Sequence, residues 1–289
     1  MKKSILGIIV LLISTIAMKS DKPAYFIYDK SGDKSSYKEL LKAASEADVV
    51  FFGEMHDNPI CHWLEFELEK DLYIETGKNI IIGAEMFETD NQLLINEYLK
   101  GLIKDKNFEA EARLWGNYKT DYKPLLQFAR DSALPFIATN VPRRYASMVN
   151  NGGFEALDNL APDAKQLLPP LPVAFDENIS CYKEMIDGMA AMGGHGSVNI
   201  AKAQALKDAT MAYNISRNLV KGKTFLHFNG SYHSDNYEGI IWYLKRSDPE
   251  LKIVTISSVE QNDVTEFNKE NENLADFIIA ITETMTKTQ

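Results

Sequence analysis

Residues 48–59 read DVVFFGEMHDNP. The run 48–53 is apolar without strict alternation, the pattern of a strand covered on both faces. It stops at Gly53, and the positions after it carry chemistry: Glu54, His56 and Asp57. Asp57-Asn58-Pro59 then offers a capping side chain, which accounts for Asp57, followed by proline in the first turn of a helix. An apolar stripe of Ile60, Trp63, Leu64, Leu68 and Leu72 follows at helical spacing, with His62 off the stripe and expected to face solvent. Strand, polar turn and helix in succession make one βα unit.

Four further runs repeat the strand of that unit: 79–86 (NIIIGAEM), 135–141 (PFIATNV), 224–229 (TFLHFN) and 252–257 (KIVTIS). Helical patterns lie between most of them. One spans 91–100, with Leu94, Ile95, Tyr98 and Leu99 as its stripe and Gly101 as its stop; another occupies the second half of 115–133. The expectation is an α/β fold with a mainly parallel central sheet flanked by helices. Between the third and fourth runs, 143–217 shows no strand and is far longer than one crossover needs, so it reads as a helical cap inserted over the sheet. Met185, Met189 and Met192 recur there at helical spacing, as flexible core filler does.

The 289 residues are 45% hydrophobic and 25% charged, with a formal net charge of −10. These are globular proportions, and the acidic balance excludes a broad basic surface for nucleic acid or anionic lipid. Cys61 and Cys181 are the only cysteines and belong to no CxxC or finger spacing. That excludes a thiolate zinc site, a thioredoxin-like site and covalent haem attachment, and leaves open whether the two pair after export. Met1-Lys2-Lys3, an apolar run over 4–17, and Thr15 and Ala17 at the −3 and −1 positions suit a secretory signal peptide over 1–17, with the mature domain over 18–289. The run is shorter than the ~20 residues that span a bilayer. The expected location is exported, periplasmic or cell-envelope associated.

In open parallel sheets ligands bind beyond the carboxyl ends of the strands. Those ends are polar here: Gly53-Glu54-Met55-His56, Gly83-Ala84-Glu85-Met86-Phe87, Asn140-Val141-Pro142-Arg143-Arg144 and Asn229-Gly230-Ser231-Tyr232-His233. A loop histidine or glutamate is ordinarily just a hydrogen-bonded residue, but two histidines and two carboxylates sharing one sheet edge can hold a divalent metal or shuttle protons. Glycine three residues before each histidine permits close backbone approach. His227, inside the fourth run, reads as buried and hydrogen-bonded.

The paired Gly-x-x-His motifs, at Gly53 to His56 and Gly230 to His233, with Gly-x-Glu-x-Phe at Gly83 to Phe87, resemble the haem-binding uptake and Tiki superfamily, and within it the ChaN family of iron-regulated exported proteins. The resemblance extends through Trp115, Tyr118, Tyr122, Pro124 and Leu125, then Asn140, Pro142 and Arg143, then Ala203, Gln204, Asp208, Met211 and Ala212. It implies an α/β fold with a helical cap and non-covalent haem between the subunits of a homodimer. In that mode a tyrosine ligates iron, basic or histidine side chains hold the propionates, and an outer-membrane haem receptor is a further partner. It also implies an alternative, because wider members are metal-dependent proteases and esterases. On that reading Glu54, His56, Glu85 and His233 are catalytic, with His56, Glu85 and His233 holding a divalent transition metal and Asn229 beside them. The family's lipoprotein cysteine is missing here.

The motifs do not choose among the 13 tyrosines. Tyr182 and Tyr213 lie in the cap region, where a flat apolar ligand would be covered, and His195 sits in a glycine-rich turn there. Tyr232 falls inside the second Gly-x-x-His motif. Arg143 and Arg144 are candidates for the propionates, since a planar guanidinium matches a carboxylate bidentately.

Overall fold

The structure is a computed structural model that describes residues 22–191 and 197–288. The expected signal peptide and His195 therefore lie outside the described residues, as does Met192. Eight strands form one sheet in the order β2-β1-β8-β7-β3-β6-β4-β5. They are β1 (Tyr25–Asp29), β2 (Lys34–Ser35), β3 (Val49–Glu54), β4 (Ile80–Glu88), β5 (Phe136–Asn140), β6 (Thr224–Gly230), β7 (Ile253–Gln261) and β8 (Phe277–Thr282). From β8 to β5 all neighbours are parallel, and β1 pairs antiparallel with both β8 and β2 at one edge.

The helices are α1 (Tyr37–Ser45), α2 (Pro59–Glu75), α3 (Gln92–Leu99), α4 (Asp105–Glu111), α5 (Lys123–Asp131), α6 (Arg143–Gly152), α7 (Pro162–Lys165), α8 (Ser180–Ala191), α9 (Ser197–Asn218) and α10 (Ile240–Ser247). This is the expected α/β class, and α6 to α9 form the helical insertion between β5 and β6.

Strand parity sorts the core into two layers. Val50, Phe52, Ile80, Ile82, Leu226 and Phe228 face α1, α2 and α5, and meet Leu40, Leu64, Leu68, Leu72 and Leu126. Val49, Phe51, Ile81 and Phe225 face the other way, onto Met211 and Ile215 of α9 and Ile240, Ile241 and Leu244 of α10. Connections from β3 lead to β4 on one side of it, while those from β6 lead to β7 on the other. The chain thus reverses direction between β3 and β6, which is where an open α/β sheet forms a crevice.

Three strands come in addition to the five expected. β8 has an apolar core (FIIAIT) and β1 borders it, so both extend the sheet rather than start a new layer. β3, β4, β6 and β7 also run past the apolar stretches into polar residues, because backbone pairing continues there: Glu54 pairs with Gly230. Trp63 departs from the expected stripe. It is 49% exposed and packs edge-on to Tyr25 on the rim of the sheet. The cap of α2 is Asn58, whose side chain accepts from Ile60 N, whereas Asp57 pairs with Lys287 at 3.3 Å. In the insertion Met185 packs against the cluster around Tyr182. No helix among the described residues is long and apolar enough to cross a membrane.

Leu68 is fully buried where α2 meets the sheet. Leu68→Ala is expected to lower unfolding free energy by about 2–5 kcal/mol, measured by urea denaturation. A loss below 1 kcal/mol would mean that this layer is not the packed core described.

Candidate functional site

The two carboxylates at the strand ends leave the sheet on opposite faces. Glu54 follows Val50 and Phe52 in parity and points toward α2, while Glu85 follows Ile81 and Gly83 and points toward α9. On the α2 side, Glu54 Oε1 lies 2.6 Å from His56 Nδ1 and accepts from the Tyr122 hydroxyl at 2.8 Å. Its Oε2 lies 3.1 Å from His62 Nδ1. Tyr122 closes a π-helical turn over Tyr118–Tyr122, an irregularity that often marks functional positions. Asn117, just before that turn, donates to the His56 carbonyl at 2.8 Å.

On the α9 side, Glu85 Oε2 accepts from Gly230 N at 2.8 Å, and Oε1 lies 3.2 Å from His233 Nε2. His233 Nδ1 lies 2.5 Å from Asp208 Oδ1 on α9, and Asp208 Oδ2 accepts from the Tyr182 hydroxyl at 2.8 Å. Gln204, one turn earlier on α9, reaches the same imidazole at 3.2 Å. His56 joins the halves. Its Nδ1 is tied to Glu54, and a Cβ at Gly230 would lie 2.7 Å from its Nε2 and 3.6 Å from Glu85 Oε2. Gly53 serves similarly, since a Cβ there would meet the Ser231 Cα at 2.9 Å.

Burial opposes charge on all of these groups, and their mutual contacts overcome it. Desolvation would raise Glu85, yet the charges and hydrogen bonds of His233, His56 and Gly230 N–H hold it well below the usual carboxylate range. Desolvation would lower His233, but Glu85 and Asp208 bring it up to about 10. In the same way His56 and His62 bring Glu54 down to about 2, while Glu54 and Glu65 push His62 up to about 11. His56 is raised chiefly by Glu54 and Glu85 against burial. His227 differs: burial lowers it to about 4, and it stays neutral between Thr139 Oγ1 at 2.8 Å and Asn229 Oδ1 at 3.0 Å. A cavity of about 280 Å³ opens over this assembly, lined by His56, Glu85, Glu88, Trp115, Arg143 and Lys207 among others. Ionised carboxylates, imidazoles fixed by second carboxylates, and a cavity with two cationic side chains suit either metal holding or proton transfer.

The sequence profile of the family described as haem-binding uptake, Tiki superfamily, ChaN matches residues 40–244. The chain belongs to this family. A Campylobacter jejuni ChaN structure with cofacial heme binding superposes with a TM-score of 0.66 at 18% identity, covering 89% of this chain and 97% of that one, and so shares the fold. A Bacillus cereus protein structure (TM-score 0.47, 12% identity, 85% and 90% covered) and the type III effector HopBA1 (0.46, 16%, 84% and 91%) are also similar. No curated protein matches the chain by sequence.

In this ChaN-family chain the structure brings His56, Glu85 and His233 to one edge, with Glu54 bound through His56, and Asn229 donating to Gly230 O and Ser234 Oγ behind them. The candidates for haem are spread more widely. Tyr182 is fully buried and its hydroxyl is engaged by Asp208. Tyr232 is 38% exposed and donates to the Cys181 carbonyl. Arg143 lines the small cavity, whereas Arg144 pairs with Asp90 at 2.5 Å. Tyr213 lines a separate cavity of about 540 Å³. Cys61 and Cys181 are both buried and free.

His62 is a correction. It does not face solvent but is 7% exposed and contacts Glu54 and Glu65, because the buried face of α2 is wider than its apolar stripe and includes Cys61, Glu65 and Glu69. Asp208 and Gln204 have no assigned role in the sequence reading. Their four-residue spacing, one helical turn before Met211 and Ala212, was the available signal.

The pKa directions give a pH window. His233 and His62 are raised, so the stability they supply is full below their ordinary 6.5 and lost as pH climbs through about 10 and 11. Glu54 is depressed, so its contribution is full above 4.5 and lost as pH falls through about 2. The melting temperature should therefore peak between about pH 4.5 and 6.5 and fall on both sides; a flat profile from 6.5 to 10 would refute the charged His233. Gly230→Ala is expected to displace His56 and lower stability by about 1–3 kcal/mol, read from thermal unfolding together with the His56 resonances in an NMR titration.

Proposed function

We propose that this chain is an exported haem-binding protein of haem or iron uptake or storage, holding non-covalent haem at a homodimer interface. The observation that carries the reading, beyond family membership, is the 540 Å³ cavity. Pro169, Pro170, Pro172, Val173, Ala209 and Ala212 line it, with Tyr213, Arg217 and Arg246 at hand. These residues fit haem: an apolar slot of ligand size for the macrocycle, a phenol for ferric iron, and two guanidiniums for two propionates. The Arg217 guanidinium lies 5.5 Å from the Tyr213 ring centroid, which keeps a cation beside the phenol. Arg246 and Ser247 on the rim are exposed, so the slot faces solvent and covers one face of a flat ligand. A second copy related by two-fold symmetry would cover the other, in keeping with the cofacial heme binding of the Campylobacter jejuni ChaN structure. Export rests on the pattern of residues 1–17, and an outer-membrane receptor remains a further partner on this reading.

A second reading is supported by the other cavity: a metal-dependent hydrolase using Glu54, His56, Glu85 and His233. Its donor set fits a divalent transition metal, because Asp208 fixes His233 through Nδ1 and turns Nε2 toward Glu85, as second carboxylates do for metal-binding histidines. Such an ion would supply Lewis acidity. Glu54 would orient His56 and hold its proton at Nδ1.

The deciding experiment is a haem titration of the purified chain, following the Soret band and sedimentation together. Saturable binding with a tyrosinate-like ferric spectrum and a shift to dimer is expected. Tyr213→Phe should change that spectrum and weaken binding about tenfold or more, and Arg217→Ala should weaken it without changing the iron ligand, while His233→Asn leaves both alone. Absence of a saturable band overturns the haem reading. Ester or peptide hydrolysis lost in His56→Ala would then support the alternative.

A further inference from the structure

The most polar part of the core lies under α2. His62, Glu65 and Glu69 stand at i, i+3 and i+7 on the buried face of this helix, and Glu54 approaches from the end of β3. Exposure is 2% for Glu54, 7% for His62 and zero for Glu65 and Glu69. One ligand atom from each of Glu54, His62 and Glu65 lies within 4.8 Å of the others. At the centre is His62 Nδ1, 3.1 Å from Glu54 Oε2 and 3.2 Å from Glu65 Oε2.

The other side of the ring fixes what Nδ1 can be. His62 Nε2 lies 3.2 Å from the His56 carbonyl and 3.3 Å from Asp121 Oδ2, and both are acceptors, so Nε2 carries the hydrogen. Asp121 is itself held by Asn117 Nδ2 at 2.7 Å and by the Thr288 hydroxyl at 3.0 Å. Nδ1 can offer at most one hydrogen to the two carboxylate oxygens beside it, so a single imidazolium charge faces the buried carboxyl groups of Glu54 and Glu65. Among the described residues no lysine or arginine pairs with Glu54, Glu65 or Glu69. Glu65 Oε1 and both oxygens of Glu69 are buried without a hydrogen-bond partner among those residues. Two carboxylates beside one imidazole nitrogen, with a third buried carboxyl group one turn along the helix, make a donor set that a divalent cation can neutralise.

We propose that Glu54, His62 and Glu65, with Glu69 one turn beyond, form a buried structural site for one first-row divalent cation. One imidazole nitrogen with carboxylate oxygens and no thiolate favours Mn²⁺, Fe²⁺ or Zn²⁺ over softer ions. Asp121 and the His56 carbonyl act as the outer partners that orient a metal-binding histidine. The site is separate from the His56, Glu85 and His233 cluster, sharing none of its three ligands. It would pin α2 to the end of β3 and fix Glu54, which in turn orients His56.

The test is the metal content of the full chain after chelation and reloading with Mn²⁺, Fe²⁺ or Zn²⁺ in turn, by elemental analysis and thermal shift. One equivalent retained through gel filtration, with a melting temperature that rises with metal concentration, is expected. Glu65→Gln and His62→Asn should each weaken binding about tenfold or more, while Glu85→Gln and His233→Asn keep the equivalent. The proposal is overturned if the wild-type chain retains no stoichiometric metal, if Glu65→Gln binds like wild type, or if Glu85→Gln or His233→Asn removes the ion instead. Should the α2 variants fail to fold, X-ray absorption of the loaded wild-type chain decides it, through a coordination shell with one imidazole (two or more overturn the proposal).

Discussion

Everything at the carboxyl edge of the sheet follows from burying two ionised carboxylates on either side of β6. Glu54 and Glu85 are 2% and 4% exposed, and neither has a lysine or arginine partner among the described residues. A carboxylate in that position either takes up a proton or acquires a cation. The surrounding histidines supply the cation, and each must be brought in by a different piece of chain: His56 by the turn after β3, His62 by α2, His233 by the 3-10 turn after β6. The glycines are consequences of the same demand. Gly230 has no side chain because the His56 ring occupies the space.

Such an arrangement is a poor way to gain stability. Removing two charges from water costs several kcal/mol each, and a hydrophobic replacement of similar volume is often neutral or better. What the arrangement does secure is orientation. His233 is clamped between Asp208 and Glu85, and His62 between two carboxylates on one nitrogen and two acceptors on the other. His56 alone combines a fixed nitrogen with a side chain that is 45% exposed. It is the member of the set that carries the buried charges to the wall of the cavity.

The sheet could be read from the sequence because its central strands are apolar on both faces, and the polar residues at their ends stood out against that background. Glu54, His56, Glu85 and His233 were visible for this reason. Their division between two faces was hidden, since it depends on where pairing stops, and β4 carries an irregularity between Ala84 and Glu88. Asp208 was hidden because the helical insertion offers no apolar run to anchor a reading. His62, Glu65 and Glu69 were hidden by the rule that polar residues on an amphipathic helix face water. That rule fails where the helix lies over strand ends that carry charge, and α2 begins at such a place.

One helix serves both cavities. Gln204 and Asp208 of α9 face His233, and Tyr213 and Arg217 of the same helix line the apolar slot. From Asp208 to Tyr213 the axial rise is about 7.5 Å, less than two turns. Met211 and Ile215 of the same helix are buried against the sheet at zero exposure. A helix so anchored holds the two places at a fixed separation and gives neither an element with two packings by which occupancy of one would bias the other. The apolar slot and the charged edge are therefore two separate places on one rigid support, the first apolar with a phenol and guanidiniums at hand and the second built of carboxylates and imidazoles.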